Sequence, residues 1–96
     1  MTPDSSKMRL DQFLKASRLV LRRTVAQELC EAGAVSVNGI AARSSRAVHI
    51  GDEIALRRVN RQLTVHVLAV PDARQTSRRE ASTLYEVVSD ERVDDE

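Results

Sequence analysis

The sequence predicts an α+β fold: two N-terminal helices packed on a small, mostly antiparallel sheet, then a short C-terminal helix, with disordered ends. Three observations carry this expectation. Leu10, Phe13 and Leu14 fall at i, i+3 and i+4, and Val25, Ala26, Leu29 and Cys30 repeat that helical spacing. From Val35 onward the apolar period drops to two, with Asn38-Gly39 set between alternating segments as a two-residue hairpin turn. Phe13 and Tyr85 are the only aromatic residues among 96, so the core is aliphatic and modest.

Each element has its own signals. "MTPDSSK" is short and polar and reads as a disordered extension over residues 1–7. In "MRLDQFLKAS" the stripe of Leu10, Phe13 and Leu14 faces the core, and Arg9, Asp11, Gln12 and Lys15 form the polar face. A second helix is expected over residues 22–32, stopped by Gly33 in a left-handed conformation. Thr24 and Gln27 also have capping-box spacing, which would move its start two residues later. Gly51-Asp52 marks a turn before a strand over residues 53–56, and "QLTVHVLAV" is a longer strand running up to Pro71. Ser77 and Glu80 form a capping box that opens a helix to about residue 84, and "SDERVDDE" reads as a disordered acidic tail. The expected organisation is an extension (1–7), a folded domain (8–70), a C-terminal extension with a short helix (71–88) and a tail (89–96).

Charge is segregated along the chain. The formal net charge is +1, yet residues 1–61 hold 11 Lys and Arg against 6 Asp and Glu, and residues 62–96 hold 4 against 8. The first part is therefore +5 and the second −4, a pattern that suits a polyanion-binding face beside an acidic region.

Catalytic constellations are not evident. His49 and His66 have no ligand spacing around them, and neither a Gly-rich phosphate loop nor a nucleophile elbow is present. Neither an enzyme nor a bound cofactor or metal is expected. The single cysteine, Cys30, lies on an apolar stripe and reads as a small core residue in a reducing compartment. With neither an apolar run of membrane-spanning length nor a secretion signal, the expected location is the cytoplasm.

The arginines remain to be explained. Arg9 falls at the start of the first helix, Arg18 in the connection, and Arg22 and Arg23 at the start of the second. Each charge opposes the local helix dipole, so folding gains little from it. A phosphate backbone reverses the sign, because guanidinium groups and free helix N–H groups then converge on one anion. Lys15, Arg43 and Arg46 widen the candidate surface. With so few aromatics, a structured RNA read through shape and phosphates fits better than a single strand stacked on rings.

These residues carry a resemblance. "RLDQFL", the Arg23-x-x-Ala26 helix start, the run from Leu29 through Gly33, Val35, Val37 and Asn38-Gly39, and Gly51-Asp52 together resemble the S-four RNA-binding domain. That family often has Ser before the helix-start arginine; here Arg22 replaces it, exchanging a cap for a charge. Many members append the domain to a catalytic or ribosomal protein. The stand-alone form and "EASTLYEVV" are similar to members that act in ribosome-associated quality control, a group close to the small heat-shock protein of the same family. The resemblance implies a factor on the large ribosomal subunit, touching rRNA and peptidyl-site tRNA while an RqcH-type factor adds an alanine tail; the chain itself is expected to be non-catalytic and monomeric. It also implies that Arg9 and Arg23 contact rRNA, with Arg18 and Arg22 beside them. Rival readings are a heat-shock recycling or assembly role on the same fold, and a protein-interaction adaptor that pairs a strand with a partner.

Overall fold

A computed structural model describes residues 8–71 and 77–92 of the chain. The elements run β1 (Met8–Arg9), α1 (Leu10–Ala16), α2 (Arg23–Glu31), β2 (Val35–Val37), β3 (Ile40–Ala41), β4 (Ala47–Val48), β5 (Glu53–Arg58), β6 (Arg61–Val67), α3 (Arg78–Ala81) and β7 (Tyr85–Arg92). The main sheet has five antiparallel strands in the order β3-β2-β5-β6-β7. A second, two-stranded ladder pairs β1 with β4 and ties the head of α1 to the middle of the chain. The α+β class and the two N-terminal helices are as the sequence predicts.

The core lies between the helices and the inner face of the sheet. Leu10, Phe13 and Leu14 of α1 are fully buried, joined by Ala26 and Cys30 of α2 and by Val35, Val37, Ile54, Leu56, Val65 and Val67. Alternation along β5 puts Ile54 and Leu56 inward and Glu53 and Arg57 outward, the half-buried pattern of an antiparallel sheet. The β2–β3 turn uses Asn38 and Gly39 with φ of 55° and 85°, both left-handed, as a type I′ hairpin requires. Asn38 also locks its neighbour: its Oδ1 accepts from the Glu53 backbone N–H at 3.0 Å and its Nδ2 donates to Asp52 at 3.2 Å. Among the described residues, no helix is long and apolar enough to cross a membrane.

Several boundaries differ from expectation. Strand β6 stops at Val67, short of Pro71, because the N–H groups of Leu68 and Ala69 leave the ladder and both donate to the Leu84 carbonyl. Helix α3 begins as expected, with Ser77 Oγ accepting from the Glu80 N–H at 3.1 Å, but ends at Ala81. There the Ser82 and Thr83 hydroxyls donate to the carbonyls of Arg79 and Glu80. The largest difference is at residues 89–92, read as disordered tail. They continue β7, which pairs with the whole of β6, and the Arg61 guanidinium holds Asp90 through two bonds of 2.8 and 2.6 Å. The segment expected as an extension thus supplies the edge strand of the main sheet. A string of acidic residues looks solvated until its cross-strand partner is known. Residues 1–7 and 93–96, the other parts expected to be disordered, lie outside the described residues.

Candidate nucleic-acid interface

The basic face is built around a buried carboxylate. Asp11, in the first turn of α1, has no solvent exposure, although its position beside Arg9, Gln12 and Lys15 reads as the polar face of the helix. The second helix covers it. Arg9 donates from Nε and Nη2 to the two Asp11 oxygens at 3.2 and 3.3 Å. Arg23 donates from Nε at 3.1 Å and Gln27 from Nε2 at 2.9 Å, both to Oδ2. Gln27 is thereby committed to α1, and the capping box it could have formed with Thr24 gives way to an α2 that starts at Arg23. Burial opposes the Asp11 charge, but the bonds from Gln27, Arg23 and Arg9 outweigh it and hold the carboxyl below its usual range.

This arrangement corrects the expectation that folding gains little from Arg9 and Arg23. Both are ion-paired to a carboxylate that needs them, since an unpaired buried charge is costly. Neither is consumed by the pairing. Their side chains stay 42% and 38% exposed, and Arg23 spends only its Nε among the described residues. A guanidinium held at one edge presents its other nitrogens outward in a set direction.

Of the other predicted residues, Arg22 adjoins Arg23, whereas Arg43 lines a hollow with Cys30 and Glu31 at the far end of α2. Arg22 is the exposed N-cap of α2, with extended backbone and no side-chain cap. Arg18 is exposed in the connection, with a left-handed φ of 64°. Lys15 follows Asp11 by one helical turn and so lies along the same face of α1. Arg43 and Arg46 come from sequence-distant chain, yet their loop abuts the start of α1. The Arg46 carbonyl accepts from the Leu10 N–H at 2.8 Å, and the Ser44 carbonyl accepts from the Asp11 N–H at 3.1 Å. Gln12 takes the Arg9 N–H at 3.2 Å. The Leu10 and Asp11 N–H groups are thus taken by loop carbonyls and are not the open anion cradle expected there, and neither Arg9 nor Arg22 caps its own helix with its side chain.

Asp11 and Gln27 are the residues that sequence reasoning missed as parts of this site. The usable signal was an acid flanked by apolar residues, Leu10 and Phe13–Leu14, on a helix expected to pack against a second one beginning with arginine. Cys30 behaves as predicted for a core residue: burial, with the charges of Asp11 and Glu31, pushes its thiol up to about 11, so it stays protonated at neutral pH. Among the described residues, no three His, Cys, Asp or Glu side chains gather as a metal site.

The S4 domain model matches residues 8–54, the span that contains β1, both helices and the first hairpin. The chain is 42% identical over 88 residues to the RQC P-site tRNA stabilizing factor of Streptococcus pneumoniae, covering 92% of this chain and 98% of that one. It is 45% identical to the factor of the same name from Halalkalibacterium halodurans, covering 90% and 96%. The chain belongs to the S4-domain family of RQC P-site tRNA stabilizing factors. The trimeric structure of Vibrio cholerae heat shock protein 15 shares the fold, with a TM-score of 0.80 and 33% identity over 88% of this chain and 84% of that one. Within the S4-domain match lie all seven basic residues singled out from the sequence.

Proposed function

We propose that this protein is a non-catalytic, cytoplasmic RNA-binding factor that acts as a monomer on the large ribosomal subunit in ribosome-associated quality control. It steadies peptidyl-site tRNA against rRNA while an RqcH-type factor adds an alanine tail. The observation that carries this reading is the Asp11 cluster: a buried carboxylate aims Arg9 and Arg23 outward, directly beside the exposed Arg22. Phosphate backbones reward such a surface through charge-assisted contacts and counterion release.

Roles divide by how each side chain is held. Arg9 and Arg23, fixed by Asp11, set register on the RNA; the exposed Arg18 and Arg22 add charge beside them. Lys15 extends the face along α1, Arg46 borders it at the head of that helix, and Arg43 adds a more distant contact beside the end of α2. The action is positional, since the face holds cations and amides and needs no bond made or broken. Identity of 42% and 45% over nearly the whole length of two RQC factors supports this role over heat-shock recycling, since the chain is 36% identical to Escherichia coli heat shock protein 15 and covers only 59% of it.

Sedimentation of ribosomal particles tests the reading. The wild type should travel with free large subunits that carry alanine-tailed nascent chains, and Arg18→Ala/Arg22→Ala should move to the top of the gradient. Large subunits without tailed chains would favour recycling or assembly. Binding that survives loss of both arginines would favour a protein adaptor.

A further inference from the structure

A second group of arginines lies outside the S4-domain match. In the antiparallel register, Arg58 of β5 faces Arg61 of β6, and Arg61 faces Arg92 of β7. Register partners share a face of the sheet, so three guanidinium side chains stand in one row across three adjacent strands. Strand spacing makes the row about 10 Å long. Arg58 and Arg61 follow the same alternation as Ile54, Leu56, Leu63 and Val65, so the row continues the inner face beyond the end of the core. Among the described residues, only Arg61 of the three has an acidic partner, Asp90. The β5–β6 turn beside them exposes Val59 completely, and Arg57 is exposed on the opposite face.

Like charges directly opposite one another oppose sheet pairing, and Asp90, the acid on the same face, is paired with Arg61 and offsets one of the three. Glu91 does not offset the row, because it pairs with Gln62, one register position away and therefore on the other face. A polyanion does repay it, since phosphates recur every few ångströms along a nucleic-acid backbone. The row is also distant from the first basic face. Arg23 opens α2, whereas Ala34, beyond the far end of that helix, accepts from the Arg57 N–H at 2.8 Å. Nine helical residues put about 13 Å between the two ends.

We propose that the Arg58–Arg61–Arg92 row, with the Val59 tip, is a second RNA-backbone contact, so that the protein bridges two RNA segments. This deepens the proposed function and rests on it. The first segment takes the α1–α2 face; the second lies across the open end of the sheet, where Arg61 is oriented by Asp90 and Arg58 and Arg92 flank it.

The test compares two variants of the full chain for binding to purified large subunits across a salt series, with melting temperature as the folding control. Arg58→Ala/Arg92→Ala leaves the Arg61–Asp90 pair in place. It should weaken binding about tenfold and reduce the salt slope by one to two. A photo-crosslinking residue at Val59 should capture RNA. Wild-type affinity and slope for Arg58→Ala/Arg92→Ala, with Arg18→Ala/Arg22→Ala weakened, overturns the second contact and leaves the proposed function standing. Wild-type behaviour of both variants overturns both. Crosslinks from Val59 to protein alone assign the tip to a protein partner and overturn the RNA contact.

Discussion

The two ends of this molecule hold arginines in opposite ways. At the α1–α2 face, two guanidinium groups 3.1 and 3.2 Å from Asp11 share a carboxylate that solvent does not reach. At the end of the sheet, Arg61 meets Asp90 at a shorter 2.6 Å, but the two side chains are 59% and 38% exposed. Distance alone would rank the second pair as stronger. Burial reverses the order, because exposed pairs are screened by water and salt, whereas a buried carboxylate must keep its donors. The first pairing is part of the fold, and the second orients a surface side chain.

Mutation of the two aspartates should separate these cases most sharply. Asp11→Ala should cost about 2 kcal/mol of stability, through loss of hydrogen bonds to a charged acceptor, and should also weaken RNA binding as Arg9 and Arg23 lose their orientation. Denaturant unfolding and subunit binding on the same samples check both effects. Asp90→Ala should leave the unfolding midpoint unchanged within error and affect only the salt dependence of binding. Equal losses from the two substitutions would break the contrast.

Next in size is the effect of the exposed Arg22 on binding. Arg22→Ala should lower affinity for large subunits several-fold at moderate salt while the melting temperature stays at the wild-type value. A fall in melting temperature would show that this residue, like Arg9 and Arg23, is committed to the fold.

Acid should act through the buried site. The Asp11 carboxyl is held below its usual range, so its contribution is complete above the unfolded value near 3.9 and is lost as pH falls through the lower folded value. Thermal melts should therefore be level from pH 7 to about pH 5 and decline below about pH 4. The decline should be shallower in Asp11→Asn, which cannot titrate. The smallest expected effect is chemical: Cys30, with its thiol pushed up to about 11, should resist alkylation at pH 8 until the chain is unfolded.

Much of the fold was legible because its signals are local. Asn38-Gly39 specified the hairpin through backbone conformations that few residue pairs tolerate, and Ser77 with Glu80 marked the start of α3. The stripes of Leu10, Phe13 and Leu14 and of Ala26 and Cys30 fixed which helix faces turn inward. The clustering of arginines at the two helix starts was also readable, although pairing with Asp11, which the helix dipoles do not reveal, accounts for Arg9 and Arg23. Asp11 was not: on a helical wheel it sits among polar residues, and only the docking of α2 over it turns a surface acid into a buried hub. Residues 89–92 were misread for a related reason, since four polar residues pair as a strand only once β6 offers its edge.

The sequence by itself determined the α+β class, the turns, the aliphatic core and the excess of arginine in the first part of the chain. Those properties follow from periodicity, backbone preference and composition, all of which act between near neighbours. Tertiary structure alone decided which carboxylate orients Arg9 and Arg23, that loop carbonyls close the head of α1, and that Arg58, Arg61 and Arg92 stand in one row. These depend on partners brought together from distant positions, and a charge's burial and pairing are set by what packs over it.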